Sequence, residues 1–164
     1  MELKNKRYKF SDFLPLIVIF SIILSLTLIY QLYYGFSFDS AMRIFMALFF
    51  LIFGAFKIAK LREFAQAYST YDLIAKKFLL YGYVYPFLEL GLGLSYLLKI
   101  NPFLTNISTL VLMLISAVGV FIELQKGKMI VCACLGTVFK IPMTYVTLSE
   151  DLIMALMALI MLLK

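Results

Sequence analysis

Five long apolar runs, separated by short polar stretches, leave this chain few ways to fold. They cover roughly residues 13–34, 41–59, 78–98, 103–123 and 148–163. A bilayer core takes about 20 consecutive apolar residues in a helix, within a range of about 17–25. The first four runs meet that length and the fifth is marginal. With 64% hydrophobic and 15% charged residues and a mean hydropathy of +1.01, the chain lacks the charge of a soluble domain. The expected fold class is therefore all-α, a polytopic membrane helix bundle of five transmembrane helices. The lipid bilayer is its first partner.

The placement of basic residues orients such a bundle. Lys4, Lys6, Arg7 and Lys9 precede the first run. Lys57, Lys60, Arg62, Lys76 and Lys77 fall between the second and third, and Lys126, Lys128 and Lys140 between the fourth and fifth. The opposite side receives only Arg43, Lys99 and Lys164. By the positive-inside rule the N-terminus is cytoplasmic and the C-terminus outside. The first run ends in Tyr30-Gln31-Leu32-Tyr33-Tyr34 with no small-residue cleavage site, so it reads as a retained anchor and not a signal peptide. The net charge of +6 belongs to these flanks, and no nucleic acid is expected as a partner.

The polar stretches carry local signals. Leu61, Phe64, Ala65 and Tyr68 recur at helical spacing opposite Arg62, Glu63 and Gln66, which predicts an amphipathic interfacial helix within residues 61–75, or else a plain connector. Asn101-Pro102 predicts a tight outer turn. Asn106-Ile107-Ser108 matches a glycosylation sequon but lies inside an apolar run, which argues against its use. Thr147-Leu148-Ser149-Glu150 has the form of a capping box opening the last helix.

Chemistry is scarce. There is no histidine, which removes the commonest general base and metal ligand. The only two cysteines, Cys132 and Cys134, sit one residue apart in Val131-Cys132-Ala133-Cys134-Leu135-Gly136, in a stretch the charge bias places on the cytoplasmic side. Two residues apart on a helix point away from each other, whereas a turning backbone lets the sulfurs converge. A disulfide between such close neighbours closes a small strained ring and is easily reduced, which suits exchange chemistry. Reduced, the pair offers two soft thiolates fit for Cu(I) or Zn. Free cysteines also pack as small apolar residues.

Glu89 falls near the middle of the third run, and an intramembrane carboxylate usually lines a cavity or pairs with a partner. Pro86 one turn earlier breaks a helical hydrogen bond, and Gly91 and Gly93 allow close helix approach. Lys57 lies near the cytoplasmic end of the second run, where snorkelling to the interface is the default and reaching inward to Glu89 the alternative. Glu150, with Asp151 beside it, favours the positive end of the last helix and lies near the cysteine stretch. Met154, Met157 and Met161 share a helical face with Glu150, a pattern that packing explains more often than copper.

Three of these motifs together resemble a known family. They are Arg43-Ile44-Phe45-Met46-Ala47-Leu48-Phe49-Phe50-Leu51-Ile52-Phe53-Gly54-Ala55-Phe56-Lys57, Pro86-Phe87-Leu88-Glu89-Leu90-Gly91-Leu92-Gly93 and Cys132-Ala133-Cys134-Leu135-Gly136. In order and spacing they are similar to the MauE/DoxX family of small bacterial membrane proteins, across roughly Ser40 to Lys164. The resemblance implies a four-helix membrane domain over residues 38–164, preceded at 1–37 by a basic tail and an extra transmembrane helix. It implies a multi-pass protein of the bacterial inner membrane. Its MauE branch is associated with the maturation of methylamine dehydrogenase, through disulfide formation with a thioredoxin-like partner. Related proteins carry copper-tolerance labels.

Three functions follow as expectations. The first is a thiol-redox accessory protein, oxidoreductase-like if it is an enzyme at all, exchanging disulfides through Cys132 and Cys134. The second is a copper or heavy-metal binder, with Cu(I) held by Cys132 and Cys134, joined by Glu150 or Met143, and a metallochaperone as partner. The third is a non-catalytic assembly subunit, with self-association as a homo-oligomer open in every case. Glu89 and Lys57 are expected to form a polar membrane pocket.

Overall fold

In a computed structural model, residues 13–126, 135 and 145–163 are described. They form six helices: α1 (Leu14–Tyr34), α2 (Phe38–Ala59), α3 (Leu61–Tyr68), α4 (Leu79–Leu98), α5 (Pro102–Gln125) and α6 (Tyr145–Leu162). No strand occurs among the described residues. Five of the six coincide with the apolar runs. By length and composition α1, α2 and α5 are able to cross a membrane. α4 is more polar because it carries Glu89 and four tyrosines.

α1 buries only one stripe, Leu16, Ile19, Ile23, Thr27 and Gln31, at three- and four-residue spacing. Among the described helices it packs on α2 alone, with Phe20 set against the rings of Phe45, Phe49 and Phe53. Its other faces present leucine, isoleucine and valine outward, as a lipid-facing helix must when no water drives burial. Gly35, at φ 90°, ends α1, and Gln31 accepts a hydrogen bond from the Ser37 amide at 3.1 Å to close the turn into α2.

Two helix pairs make the body of the bundle, α2 with α4 and α5 with α6. α2 and α4 approach so closely at Gly93 that a Cβ there would stand 3.0 Å from the Leu51 backbone nitrogen. Gly91, expected to share this task, faces open space. Arg43 on α2 donates to the Tyr96 carbonyl at 2.9 Å, occupying an acceptor that the last turn of α4 leaves free. The Tyr96 hydroxyl donates to Asn106 Oδ1 at 2.8 Å and meets Thr109 Oγ1 at 3.0 Å, joining α4 to α5. The sequon asparagine is thus buried among helices, as its place in an apolar run suggested. Asn101 caps α5 by accepting from the Leu104 amide, with Pro102 in its first turn.

Two local expectations need correction. The amphipathic helix ends at Tyr68 and does not continue to residue 75. It buries Phe64, Ala65 and Tyr68 as its pattern required. Beyond it, Asp72 collects the Ile74 and Ala75 amides at 2.9 and 2.8 Å, which folds residues 69–77 into turns instead of another helical turn. That segment presses on α5 at Gly119, where a Cβ would lie 2.7 Å from the Tyr71 carbonyl oxygen. The second correction concerns α6. Tyr145 and Val146 are already helical, so Thr147 is an interior residue and not the N-cap. Thr147 and Glu150 turn toward the bundle, both buried.

Candidate functional site

The last turn of α2, the first half of α4, the second half of α5 and the start of α6 converge beneath α3. Together they line a cavity of about 30 Å³, room for a water molecule or two. Its polar lining comprises Lys57, Tyr68, Tyr71, Tyr85, Glu89, Ser116, Thr147, Glu150 and Asp151. Phe49, Phe53, Phe64, Met113 and Val120 close the remaining walls.

Lys57 does not snorkel. Its ammonium pairs with Glu89 Oε1, and the two side chains keep only 7% and 2% of their surface. The Lys57 Nζ also sits 5.0 Å from the centre of the Tyr85 ring and 5.6 Å from that of Phe64. A counter-ion and two ring faces together offset the loss of water, which the bilayer interface would otherwise have to supply. On the facing pair, Ser116 donates to Asp151 Oδ2 at 2.8 Å, tying α5 to α6.

An aromatic layer roofs the cavity. Tyr68 stacks on Phe64, 5.1 Å away, and meets Tyr85 at a tilt, 4.5 Å away, with Tyr71 edge-on at 5.4 Å. The Tyr68 hydroxyl donates to Asp72 Oδ2 at 2.9 Å. Tyr68 belongs to α3, outside the spanning helices, and burial, followed by Tyr85 and Asp72, pushes its pKa well above the ordinary tyrosine value. A folded pKa above the unfolded one stabilises at low pH. The contribution is complete below about pH 10 and is lost as pH rises past it toward the folded value. Melting temperatures measured at increasing alkaline pH should therefore fall, and less steeply in Tyr68→Phe, which has no hydroxyl to ionise.

At the same end, Glu123 on α5 is gripped by Lys76 at 2.5 Å and Lys126 at 2.8 Å. These pairs pin the turn segment and the end of α5 together.

The expected pocket pair, Lys57 and Glu89, thus meets in one place, and Glu150 lies on the same cavity wall. Cys132, Cys134 and Met143 fall outside the described residues. Leu135, which follows Cys134, is buried in the core. Among the described residues no group of three or more cysteine and carboxylate side chains is arranged to hold a metal ion. Met154 is fully buried, and Met157 and Met161 pack against the core, so that stripe is packing. Sequence reasoning missed Ser116, Asp72 and the aromatic roof. Hydroxyls and tyrosines recur throughout the chain, and nothing local distinguishes these.

Apolar helices long enough to span, packed around a buried polar cluster, define a multi-pass membrane protein. The sequence model of the family described as "Methylamine utilisation protein MauE" matches residues 15–164, taking in every helix from α1 to α6. The chain belongs to the MauE family. No curated protein and no solved structure matches it.

Proposed function

We propose that this MauE-family protein is a membrane thiol-redox accessory protein, with Cys132 and Cys134 exchanging disulfides with a thioredoxin-like partner. One observation carries the reading: the chain's only two thiols lie one residue apart in the connection between α5 and α6. In this reading the chain crosses the plasma membrane five times, with α4 and α6 spanning beside α1, α2 and α5. The twelve basic residues against three support a cytoplasmic face for the cysteine connection.

Cytoplasmic thiols are kept reduced, so the pair starts as a dithiol. One thiolate attacks a partner disulfide, forming a mixed disulfide and releasing a partner thiolate. The second cysteine then displaces the partner. The pair is left oxidised, and the partner dithiol carries away two electrons and two protons. A strained short-range disulfide is easily reduced, so the reverse step, which hands the disulfide to a partner dithiol, is the favoured direction.

Single Cys132→Ser and Cys134→Ser variants test this directly. Without its resolving cysteine, one of them should hold a reductant-sensitive adduct on a non-reducing gel of membranes, absent from the double variant. If neither variant traps a partner, the reading falls. Tight Cu(I) binding by the purified protein, lost in the double variant, would replace it with metal handling by the same sulfurs. Full activity of the double variant in cells would leave an assembly subunit. An impermeant thiol reagent applied from each side should label the cysteines only from the cytoplasm.

A further inference from the structure

Glu89 is 1% exposed and lines the cavity, and only one of its oxygens is engaged. Oε1 takes the Lys57 ammonium, while Oε2 makes no hydrogen bond of ordinary length and angle among the described residues, although the Tyr85 hydroxyl lies near the carboxylate. A buried carboxylate oxygen without a donor bears an uncompensated desolvation cost. A proton on that oxygen, or a water donating to it, removes the cost, and the cavity has the volume for such a water. The charge balance points the same way. Two carboxylates, Glu89 and Asp151, line the cavity around the Lys57 ammonium. Like charges crowded in a buried site oppose full ionisation. Thr147 is the third residue of α6, so the cavity lining reaches within a turn of that helix's start.

We propose that the cavity is a proton-binding site in which Glu89 Oε2 receives a proton from a hydronium ion that reaches the cavity. Hydronium becomes water, the carboxylate becomes a carboxylic acid, and Lys57 remains charged, now donating to a carbonyl oxygen at Oε1. The groups facing Glu89 come from every element around it. Lys57 comes from α2, Tyr68 from α3, Tyr71 from the turn that follows, Tyr85 from α4 itself, and Glu150 and Asp151 from α6. From α5 the described lining holds the Ser116 hydroxyl and no titratable side chain.

Infrared difference spectra of the full-length protein in lipid nanodiscs, recorded against pH, test this. A carboxylic-acid carbonyl band should grow as pH falls, shift in heavy water and be missing from Glu89→Gln. In Asp151→Asn a negative charge leaves the cavity, so the midpoint should move to lower pH by roughly one unit. The absence of a titrating band, or a band untouched by Glu89→Gln, overturns the proposal. Should Glu89→Gln fail to fold, an unshifted midpoint in Asp151→Asn overturns it alone. The titration is expected unchanged in the Cys132→Ser/Cys134→Ser protein, so its result is independent of the thiol chemistry.

Discussion

Replacing Glu89 with leucine alone, or Lys57 with methionine alone, should destabilise the bundle by about 3–5 kcal/mol, because each change leaves the other group buried without its paired counter-ion. Changing both at once should recover most of that loss. The double variant Lys57→Met/Glu89→Leu substitutes apolar volume for the pair, and such replacements are often neutral or stabilising. The geometry sharpens the expectation. Lys57 has Glu89 as its ion-pair partner, and its further support is the faces of Tyr85 and Phe64. Unfolding of the purified protein in mixed micelles, for the two single variants and the double, closes the cycle. Equal losses in all three would mean the pair does not act as a unit. A stable double variant that has lost cellular activity would separate the pair's role in function from its role in folding.

The second large effect is expected at Asp72, which is fully buried beside the cavity roof. Its two oxygens serve three donors: the Tyr68 hydroxyl and the Ile74 and Ala75 amides. Asp72→Ala leaves all three without this acceptor, at about 1–3 kcal/mol for each group that stays unsatisfied. A loss of roughly 3–5 kcal/mol is therefore expected, once water reaches some of the freed donors. Asp72→Asn retains an acceptor oxygen for the amides and should cost about half as much. Proteolysis should locate the damage, with new cleavage within residues 69–77 of Asp72→Ala and none in the asparagine variant. If Asp72→Ala melts like the unaltered protein, the turn is not held by this carboxylate.

The two residues differ in how visible they were. Glu89 announced itself, since a carboxylate in the middle of an apolar run is too costly to be incidental. Its partner was ambiguous. Lys57 sits in the last turn of α2, where snorkelling outward costs nothing, and only the position of α4 beside it brings Glu89 within reach. Asp72 had no signal at all. It stands in a polar stretch, Thr70-Tyr71-Asp72-Leu73, where an exposed aspartate would be ordinary. Its burial depends on the packing of the turn segment against Gly119 of α5. The capping-box reading failed for a related reason. Thr147-Leu148-Ser149-Glu150 has the right residues at the right spacing, yet α6 is already helical at Tyr145, and the site claims Thr147 and Glu150 as cavity lining.

Local hydrophobicity determined the class of this protein and the extent of its long helices, because in lipid a backbone has little choice but to satisfy itself helically. The same one-dimensional information exposed the cysteine pair, the misplaced carboxylate and the bias of charge toward one side. Only the tertiary structure decided which helices are neighbours, and with that which polar groups share a cavity. Close approach at Gly93 and Gly119 sets those neighbours, and it depends on shapes meeting across more than forty residues of chain. No local pattern encodes a distance between segments that far apart.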